Sequence, residues 1–259
     1  MALRCIRCDF TLPPNKMQCP ACKIWQNSPM ETAVGDESVL LADVTSSEQD
    51  RIDVKEFNYC WGGGLSRGSV TLFGGLPGAG KSTVLLQILQ RVWEFTQQES
   101  MYIATEEALP DIRSRADRLQ IKAPIRMVPA MSGVADVGAL LLKRKPIAVV
   151  LDSLQGMTGT DEHTAIELLK TLKKFGVTLN APIIVISHVN KEGDYAGLMT
   201  YQHAVDTLFL MDPDESGQRT LEVQKNRYGR AFIESVFEMT EHGLIHILGD
   251  EEEEIEENE

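Results

Sequence analysis

The sequence predicts an α/β fold: a mainly parallel sheet with an antiparallel extension at its C-terminal end, preceded by a small cysteine-rich module. Five apolar runs lack a period-2 alternation, which is typical of strands covered on both faces, and helix-like segments separate them. These runs are residues 70–73, 101–104, 125–128, 147–151 and 183–187. Four strand-like runs follow at short intervals, at residues 207–211, 220–224, 231–237 and 244–247. Turn-like segments at residues 212–217 and 240–243 predict that these last strands form antiparallel hairpins.

Charge and hydropathy exclude several classes of protein. No apolar run is long enough to cross a bilayer, and the first residues lack the apolar stretch of a secretory signal, so we expect a cytoplasmic protein with no membrane partner. The net charge is −13, but residues 250–259 contain eight acidic side chains and no basic one. The mildly acidic remainder does not exclude nucleic acid as a partner. We expect residues 249–259 to be a disordered tail that serves solubility or, alternatively, mimics nucleic acid.

Four of the five cysteines form two Cys-x2-Cys pairs separated by ten residues, Cys5 with Cys8 and Cys19 with Cys22. Two such pairs complete a tetrahedral site of four thiolates, which predicts bound Zn²⁺. Two disulfides or a redox pair are the alternatives, but a cytosolic location disfavours disulfides and a redox pair needs no second matching pair. We expect Cys60 to be a small buried hydrophobe. The predicted parts are a zinc-binding module at 1–27, a polar linker at 28–56, an α/β core at 57–248 and the tail at 249–259.

Residues 75–82, Gly-Leu-Pro-Gly-Ala-Gly-Lys-Ser, fit the P-loop pattern. A strand-like run precedes them and a helix-like run follows, as the motif requires; a chance glycine-rich turn is the alternative. Glycines let successive backbone N–H groups face a phosphate chain. Lys81 can reach the β- and γ-phosphates, and the Ser82 hydroxyl can ligate Mg²⁺. The motif predicts binding of a nucleoside triphosphate, with contacts at Gly75, Gly78, Ala79, Gly80, Lys81, Ser82 and Thr83.

Two acidic positions follow predicted strands and suggest hydrolysis. Asp152 comes directly after the fourth apolar run, at the carboxyl end of a buried strand, where open α/β sheets bind ligands. There it can hold Mg²⁺ opposite Ser82. Glu106 follows the second run, and we expect it to orient or deprotonate the attacking water, with Glu107 as the fallback. The alternative for both glutamates is that they only favour the N-terminus of a helix.

Further polar groups extend this candidate site. His188 directly follows the fifth run, and we expect it to sense the γ-phosphate, unless it is a structural histidine. We also expect Gln155 to belong to the nucleotide site. Residues 155–164 and 189–200 are predicted to be flexible loops, and the glycines, base and aromatic residue of the second suit contact with a nucleic-acid backbone.

The last cluster, residues 224–230, reads Gln-Lys-Asn-Arg-Tyr-Gly-Arg. Its Lys225 and Arg227 either solubilise the surface or form a cationic finger. Such a finger would reach the triphosphate of a neighbouring subunit and stabilise the charge of the transition state.

Together these motifs resemble the bacterial RadA/Sms proteins, RecA-type ATPases with an N-terminal four-cysteine zinc module. The matching segments are the cysteine pairs with Trp25 and residues 75–83, 105–107, 115–119, 151–155, 187–193 and 225–229. The last of these, Lys-Asn-Arg-Tyr-Gly, is similar to the family's Lys-Asn-Arg-Phe-Gly, with Tyr228 in place of Phe. The family carries a further C-terminal domain, similar to the Lon protease domain, that these 259 residues do not contain.

The resemblance implies a RecA-like P-loop core and a DNA-stimulated ATPase that forms a hexameric ring. It implies a helicase that translocates on single-stranded DNA and promotes branch migration in homologous recombination and DNA repair. The implied partners are single-stranded or branched DNA, further copies of the chain, and a recombinase or replication protein. Lys225 and Arg227 would act on the nucleotide of the neighbouring subunit. The alternatives are a nucleotide-switched DNA-binding or partner-loading relative without helicase activity, and a P-loop regulator that does not act on DNA.

Overall fold

The structure is a computed structural model that describes residues 50–129, 134–159, 161–188, 196–214 and 216–247. All of these belong to one compact unit that begins at Gln49. The predicted zinc module with Cys5, Cys8, Cys19 and Cys22, most of the predicted linker, and the acidic tail lie outside the described residues.

The described strands form two sheets. They are β1 Arg51–Ile52, β2 Leu65–Ser66, β3 Val70–Gly75, β4 Ser100–Ala104, β5 Ile125–Pro129, β6 Val149–Asp152, β7 Ile183–Ile186, β8 Thr207–Pro213, β9 Gln218–Asn226, β10 Glu234–Thr240 and β11 Gly243–Ile247. Within the described residues, nine strands form the main sheet in the order β11-β10-β9-β8-β3-β7-β6-β4-β5. The pairs from β8 to β5 are parallel, whereas β8–β9, β9–β10 and β10–β11 are antiparallel. The predicted mainly parallel sheet with an antiparallel C-terminal extension is confirmed.

One short helix precedes the main sheet in the chain, and the other described helices connect its parallel strands. The described helices are α1 Asn58–Trp61, α2 Lys81–Thr96, α3 Leu109–Arg118, α4 Val134–Arg144, α5 Leu154–Thr158, α6 Glu162–Leu179 and α7 Ala196–Tyr201, with a 3-10 turn at Lys55–Phe57 before α1. Both faces of the sheet are covered: in β3, Phe73 packs into the core that contains α2, and Leu72 packs into the core that contains α6. This two-sided burial is the physical reason why the strands read as continuous apolar runs.

The folded core starts ahead of residue 57, the boundary predicted from the sequence. Residues Arg51–Ile52 of β1 pair with Leu65–Ser66 of β2. Ile52 and Val54 are fully buried in the same core as α2. Cys60 is also fully buried, as predicted for a small hydrophobe.

Two segments differ from the prediction because specific hydrogen bonds, and not the apolar pattern, decide their structure. Residues 155–164, predicted to be a flexible loop, are mostly helical, since Ser153 caps α5 and Asp161 caps α6 by accepting the Thr164 N–H at 2.8 Å. The strand predicted at 231–237 begins only at Glu234, because Phe232 has a φ of 60° and donates its N–H to the Val223 carbonyl at 2.6 Å. Of the loop predicted at 189–200, residues 189–195 lie outside the described residues and the remainder belongs to α7.

Candidate functional site

The P-loop connects the carboxyl end of β3 to the first turn of α2. A different local constraint explains the glycine at each of three positions. Gly75 has a φ of 145°, and a Cβ there would lie 2.2 Å from the Met211 carbonyl oxygen. Gly78 has a φ of 80°, and a Cβ there would meet no atom within 4 Å, so this side of the loop is open. Gly80 has a φ of 107° and precedes the first residue of α2. The loop therefore presents an accessible helix N-terminus, where N–H groups and the helix dipole favour phosphate.

Lys81 is buried, with 4% of its surface exposed. Its Nζ donates to the Gly75 carbonyl at 2.7 Å and to the Leu76 carbonyl at 2.9 Å. Burial lowers the pKa of Lys81 to about 8, although the negative charges of Asp152 and two other acids oppose this shift. The ammonium group thus folds back on the loop, and a triphosphate would offer it stronger acceptors than two neutral carbonyls.

Ser82 and Asp152 come together as predicted. The Ser82 hydroxyl donates to Asp152 Oδ2 at 2.8 Å, and the buried Tyr102 hydroxyl donates to the same oxygen. Burial, followed by the charge of Asp152, raises the pKa of Tyr102 well above its usual value, so Tyr102 remains a donor. A hydroxyl and a carboxylate at the edge of a P-loop are the hard oxygen ligands that Mg²⁺ prefers, so this pair fits the predicted magnesium site.

Glu106 follows β4 and is held by two neighbours. Ser153 donates its hydroxyl to Glu106 Oε1, and His188 Nε2 lies 3.0 Å from Oε2. By contrast, both oxygens of Glu107 bind Arg115, at 2.7 and 2.8 Å, and this hydrogen bonding raises the pKa of Arg115. The geometry favours Glu106 over Glu107 as the group that handles water, and its catalytic role stays a prediction.

Gln155 and His188 form one unit. Gln155 Nε2 donates to the Ser187 hydroxyl at 2.9 Å and to the His188 carbonyl at 3.1 Å, while its Oε1 accepts the His188 N–H at 3.2 Å. Gln155 therefore positions the backbone of His188 by binding both its carbonyl and its N–H. The His188 ring lines the cleft next to the P-loop, and its buried Nδ1 has no hydrogen-bond partner within the part of the chain that the structure describes.

This cleft has a volume of about 320 Å³ and is also lined by three arginines that the sequence analysis did not assign to the site, Arg115, Arg118 and Arg219. Arg219 Nε donates to the Ala79 carbonyl at 2.8 Å, and Arg118 donates to the Glu241 carbonyl at 2.5 Å. Arg219 lies on β9, far from the P-loop in sequence, so no local spacing predicts it. Arg118 and Arg219 donate to neutral carbonyls and add positive charge to a site expected to hold a triphosphate, whereas Glu107 balances the charge of Arg115.

A larger groove of about 790 Å³ lies elsewhere, beside β11, and contains none of the predicted nucleotide-binding residues. Its lining includes Gln87, Arg91 and His246. We assign the nucleotide to the smaller cleft, because the P-loop lines that cleft and does not line the larger groove.

Lys225 and Arg227 are not part of this cleft. Asn226 pairs with Thr207, at the amino end of β8, whereas the P-loop follows the carboxyl end of the parallel neighbour β3. The two cations thus lie toward the opposite edge of the sheet from their own P-loop. Lys225 Nζ donates to the Gln202 carbonyl and, at 2.9 Å, to the Val205 carbonyl, and burial lowers the pKa of Lys225. Their predicted action on a neighbouring subunit stays a prediction.

Comparison with known proteins shows the family to which the chain belongs. A model of the AAA domain, AAA_25, matches residues 36–194, more than half of the chain. The chain belongs to the AAA domain family, as a RadA-like ATPase of the RecA type. This confirms the resemblance inferred from the motifs.

RadA-like sequences match along nearly the whole chain. The DNA repair protein RadA of Bacillus subtilis is 31% identical over 274 residues, which cover 96% of this chain and 60% of that protein. Its counterpart from Salmonella typhimurium is 32% identical and covers 94% of this chain and 59% of its own length. The chain thus spans about 60% of the length of the curated relatives it matches.

A solved structure shows the fold independently. A KaiC-like protein from the hyperthermophilic archaeon Pyrococcus horikoshii OT3 has a TM-score of 0.64 at 17% identity, and the match covers 77% of this chain and 99% of that one. This likeness supports a RecA/KaiC-like P-loop fold. None of the helices that the structure describes has the length and apolar character needed to cross a membrane. The described residues also contain no group of three or more His, Cys, Asp or Glu side chains that could hold a metal ion.

Proposed function

We propose that this protein is a DNA-stimulated ATPase and helicase that translocates on single-stranded DNA and promotes branch migration in homologous recombination and DNA repair. The observation that carries the proposal is the convergence, at one edge of a parallel sheet, of the P-loop, the Ser82–Asp152 pair and Glu106. Similarity to proteins named DNA repair protein RadA adds DNA as the expected partner.

In the proposed reaction, Lys81 leaves the Gly75 and Leu76 carbonyls and binds the β- and γ-phosphates of ATP. Ser82 and Asp152 hold Mg²⁺, which neutralises phosphate charge when it is bound. Tyr102 keeps the Asp152 carboxylate in place from the buried side.

Glu106 orients the attacking water and draws off its proton. The carboxylate is held from two sides, so it is oriented before the substrate binds, and this limits the reorganisation that the reaction requires. His188 touches Glu106 and lines the cleft, so a γ-phosphate that meets the His188 ring also changes the surroundings of Glu106. Through Gln155, the same histidine is joined to α5, which follows Asp152.

We propose that DNA contacts the segments that follow Asp152 and His188. Asp152 and His188 both lie at the carboxyl edge of the sheet, and Gln155 binds the His188 backbone, so a DNA strand bound there can alter the hydrogen bonds that hold His188. Through these hydrogen bonds, bound DNA can change the rate of ATP hydrolysis.

We propose that the working form is a cytoplasmic homo-oligomer, a hexameric ring in which Lys225 and Arg227 reach the nucleotide of the next subunit. Their position toward the edge of the sheet opposite the P-loop supports action on a neighbour rather than on their own nucleotide. A recombinase or replication protein is the proposed further partner. We also propose that Cys5, Cys8, Cys19 and Cys22 hold Zn²⁺, which metal analysis of the wild type against Cys19→Ser checks.

The decisive experiment is the ATPase rate with and without single-stranded DNA, with Lys81→Ala as the inactive control. We expect hydrolysis that DNA accelerates and that Lys81→Ala abolishes. Hydrolysis without any response to DNA contradicts the proposal and favours a P-loop regulator that does not act on DNA. Unchanged turnover in Lys81→Ala contradicts the site assignment.

A nucleotide-switched DNA-binding or partner-loading protein is the alternative. It is favoured by the hydrogen bonds between Gln155 and His188, since they link the nucleotide cleft to the neighbouring helix α5 whether or not a strand moves. A branch-migration assay on a labelled junction separates the two. DNA-stimulated hydrolysis without strand movement supports the alternative, whereas strand movement that requires ATP supports a helicase.

A further inference from the structure

Asp206 is a buried carboxylate outside the nucleotide cleft, with 1% of its surface exposed. Its Oδ2 accepts the backbone N–H of Val70, the first residue of β3, at 3.1 Å. Its Oδ1 accepts from Lys173 Nζ at 2.5 Å and from the Arg227 guanidinium at 3.1 Å. One buried side chain therefore joins the cationic segment 225–229 to the strand that leads into the P-loop.

Asp206 holds the backbone of Arg227 as well as its side chain. The Arg227 N–H donates to the Asp206 carbonyl at 3.1 Å. The Arg227 side chain nevertheless stays 49% exposed. Since a guanidinium donates in several directions at once, one side can bind Asp206 while the other receives an anion.

The remainder of the segment is fixed independently. Lys225 is bound to two backbone carbonyls, as described above. Gly229 packs directly on Gly62, and a Cβ on Gly229 would lie 2.9 Å from the Gly62 Cα. Arg51 donates to the Tyr228 carbonyl at 2.6 Å. With the backbone held at these points, the direction of the Arg227 guanidinium depends mainly on its acceptor.

We propose that Asp206 is a positioning residue for ATP hydrolysis: it aims Arg227 at the triphosphate of the neighbouring subunit and ties it to β3, which carries the subunit's own P-loop. This inference rests on the proposed function, in which Arg227 acts across the subunit interface. Asp206 is not among the residues that line the nucleotide cleft, and it acts through Arg227. Lys173 shares the same oxygen and balances the buried charge, but it does not set the direction of Arg227.

The primary test is Asp206→Asn, which removes the charge but keeps an oxygen that can accept the Val70 N–H. Lys173 and Arg227 are 32% and 49% exposed, so water can solvate both cations and we expect the variant to fold. We expect kcat to fall at least about tenfold, a part of what an arginine finger contributes. Affinity for a fluorescent non-hydrolysable ATP analogue should stay within about twofold, because the cleft is unchanged.

A double-mutant cycle shows whether Asp206 acts through Arg227. In the Arg227→Ala background, Asp206→Asn should lower kcat no further, because the group that it positions is already absent. Lys173→Met is the matched control, since it removes the other cation from the same oxygen. We expect its kcat to stay within about twofold of the wild type.

Mixed oligomers separate loss of positioning from general damage. Asp206→Asn subunits keep an intact P-loop, and Lys81→Ala subunits keep an intact Arg227. A mixture of Asp206→Asn and Lys81→Ala subunits should hydrolyse ATP faster than either variant alone. A mixture of Arg227→Ala and Lys81→Ala subunits should do the same.

Full kcat in Asp206→Asn, when Arg227→Ala is inactive, overturns the inference and leaves the proposed function standing. A double variant slower than Arg227→Ala, or an Asp206→Asn mixture that stays inactive while the Arg227→Ala mixture recovers, overturns it as well. If Arg227→Ala keeps its kcat or is not rescued by Lys81→Ala, the action across the interface fails and the inference fails with it. If Asp206→Asn does not fold, Asp206→Glu, which keeps the charge but extends the carboxylate by one methylene, replaces it in the same cycle.

Discussion

The affinity for ATP should depend on pH just above neutrality, because Lys81 titrates there in the free protein. Burial lowers the pKa of Lys81 to about 8. Bound phosphates would place negative charge next to the ammonium and raise its pKa again. The bound state therefore holds the Lys81 proton more tightly than the free state, so binding is favoured at low pH and weakens as the pH rises through 8.

The size of the effect follows from that pKa. With a pKa near 8, the charged fraction of Lys81 falls from about 90% at pH 7 to about 10% at pH 9. The dissociation constant should therefore rise about tenfold over this interval, which corresponds to about 1.4 kcal/mol of binding free energy. Phosphate groups lose their last proton near pH 6, so the ligand contributes little in this window.

The assay is a titration of a fluorescent ATP analogue at fixed magnesium and ionic strength between pH 7 and pH 9. Lys81→Met and Lys81→Arg are the matched controls, since the first has no charge to lose and a guanidinium stays charged throughout. Both should bind more weakly than the wild type, with an affinity that hardly changes with pH. A flat wild-type profile, or the same slope in Lys81→Met, would refute the assignment of this titration to Lys81.

Two substitutions test the hydrolysis site directly. Glu106→Gln should lower kcat by about 10²- to 10⁴-fold with little change in analogue affinity, because it removes the proposed base; Glu107→Gln should cost less, and the reverse order in steady-state kinetics would contradict the assignment. Gly156→Ala should destabilise the fold by at least about 1–3 kcal/mol and impair turnover, because its Cβ would lie 1.9 Å from Thr105 Oγ1, next to Glu106. Gly197→Ala is its control: a Cβ there meets nothing within 4 Å, so denaturant unfolding should show no loss, and equal losses at both glycines would disprove the steric argument.

The local pattern of apolar residues was enough to predict the strands that carry the candidate site. The apolar runs match β3, β4, β5 and β7 within about two residues, because burial on both faces imposes a continuous apolar sequence that needs no knowledge of neighbours. The strand predicted at residues 231–237 begins only at Glu234, for the opposite reason. There the start of β10 is set by hydrogen bonds between Phe232, Ile233 and Val223, which are contacts between strands rather than a property of the run.

The candidate site likewise combines features that the sequence predicts with features that depend on tertiary contacts. Ser82 and Asp152 were predicted to meet because the carboxyl ends of parallel strands share one edge of a sheet, and their hydrogen bond is present. Glu106 was preferred to Glu107 from the sequence, but two adjacent identical residues give no physical reason for that preference. The structure supplies one, because Arg115 binds both oxygens of Glu107 and Ser153 holds Glu106.

The sequence by itself determined that a phosphate-binding loop lies between a buried strand and a helix, because glycine spacing and apolar periodicity are local properties of the chain. Only the tertiary structure decided what surrounds that loop. Arg219 reaches the Ala79 carbonyl, and Asp206 joins Arg227 to Val70, across long stretches of chain. Hydrogen bonds between residues so distant in sequence exist only when the sheet has assembled, since strand order and register place their partners.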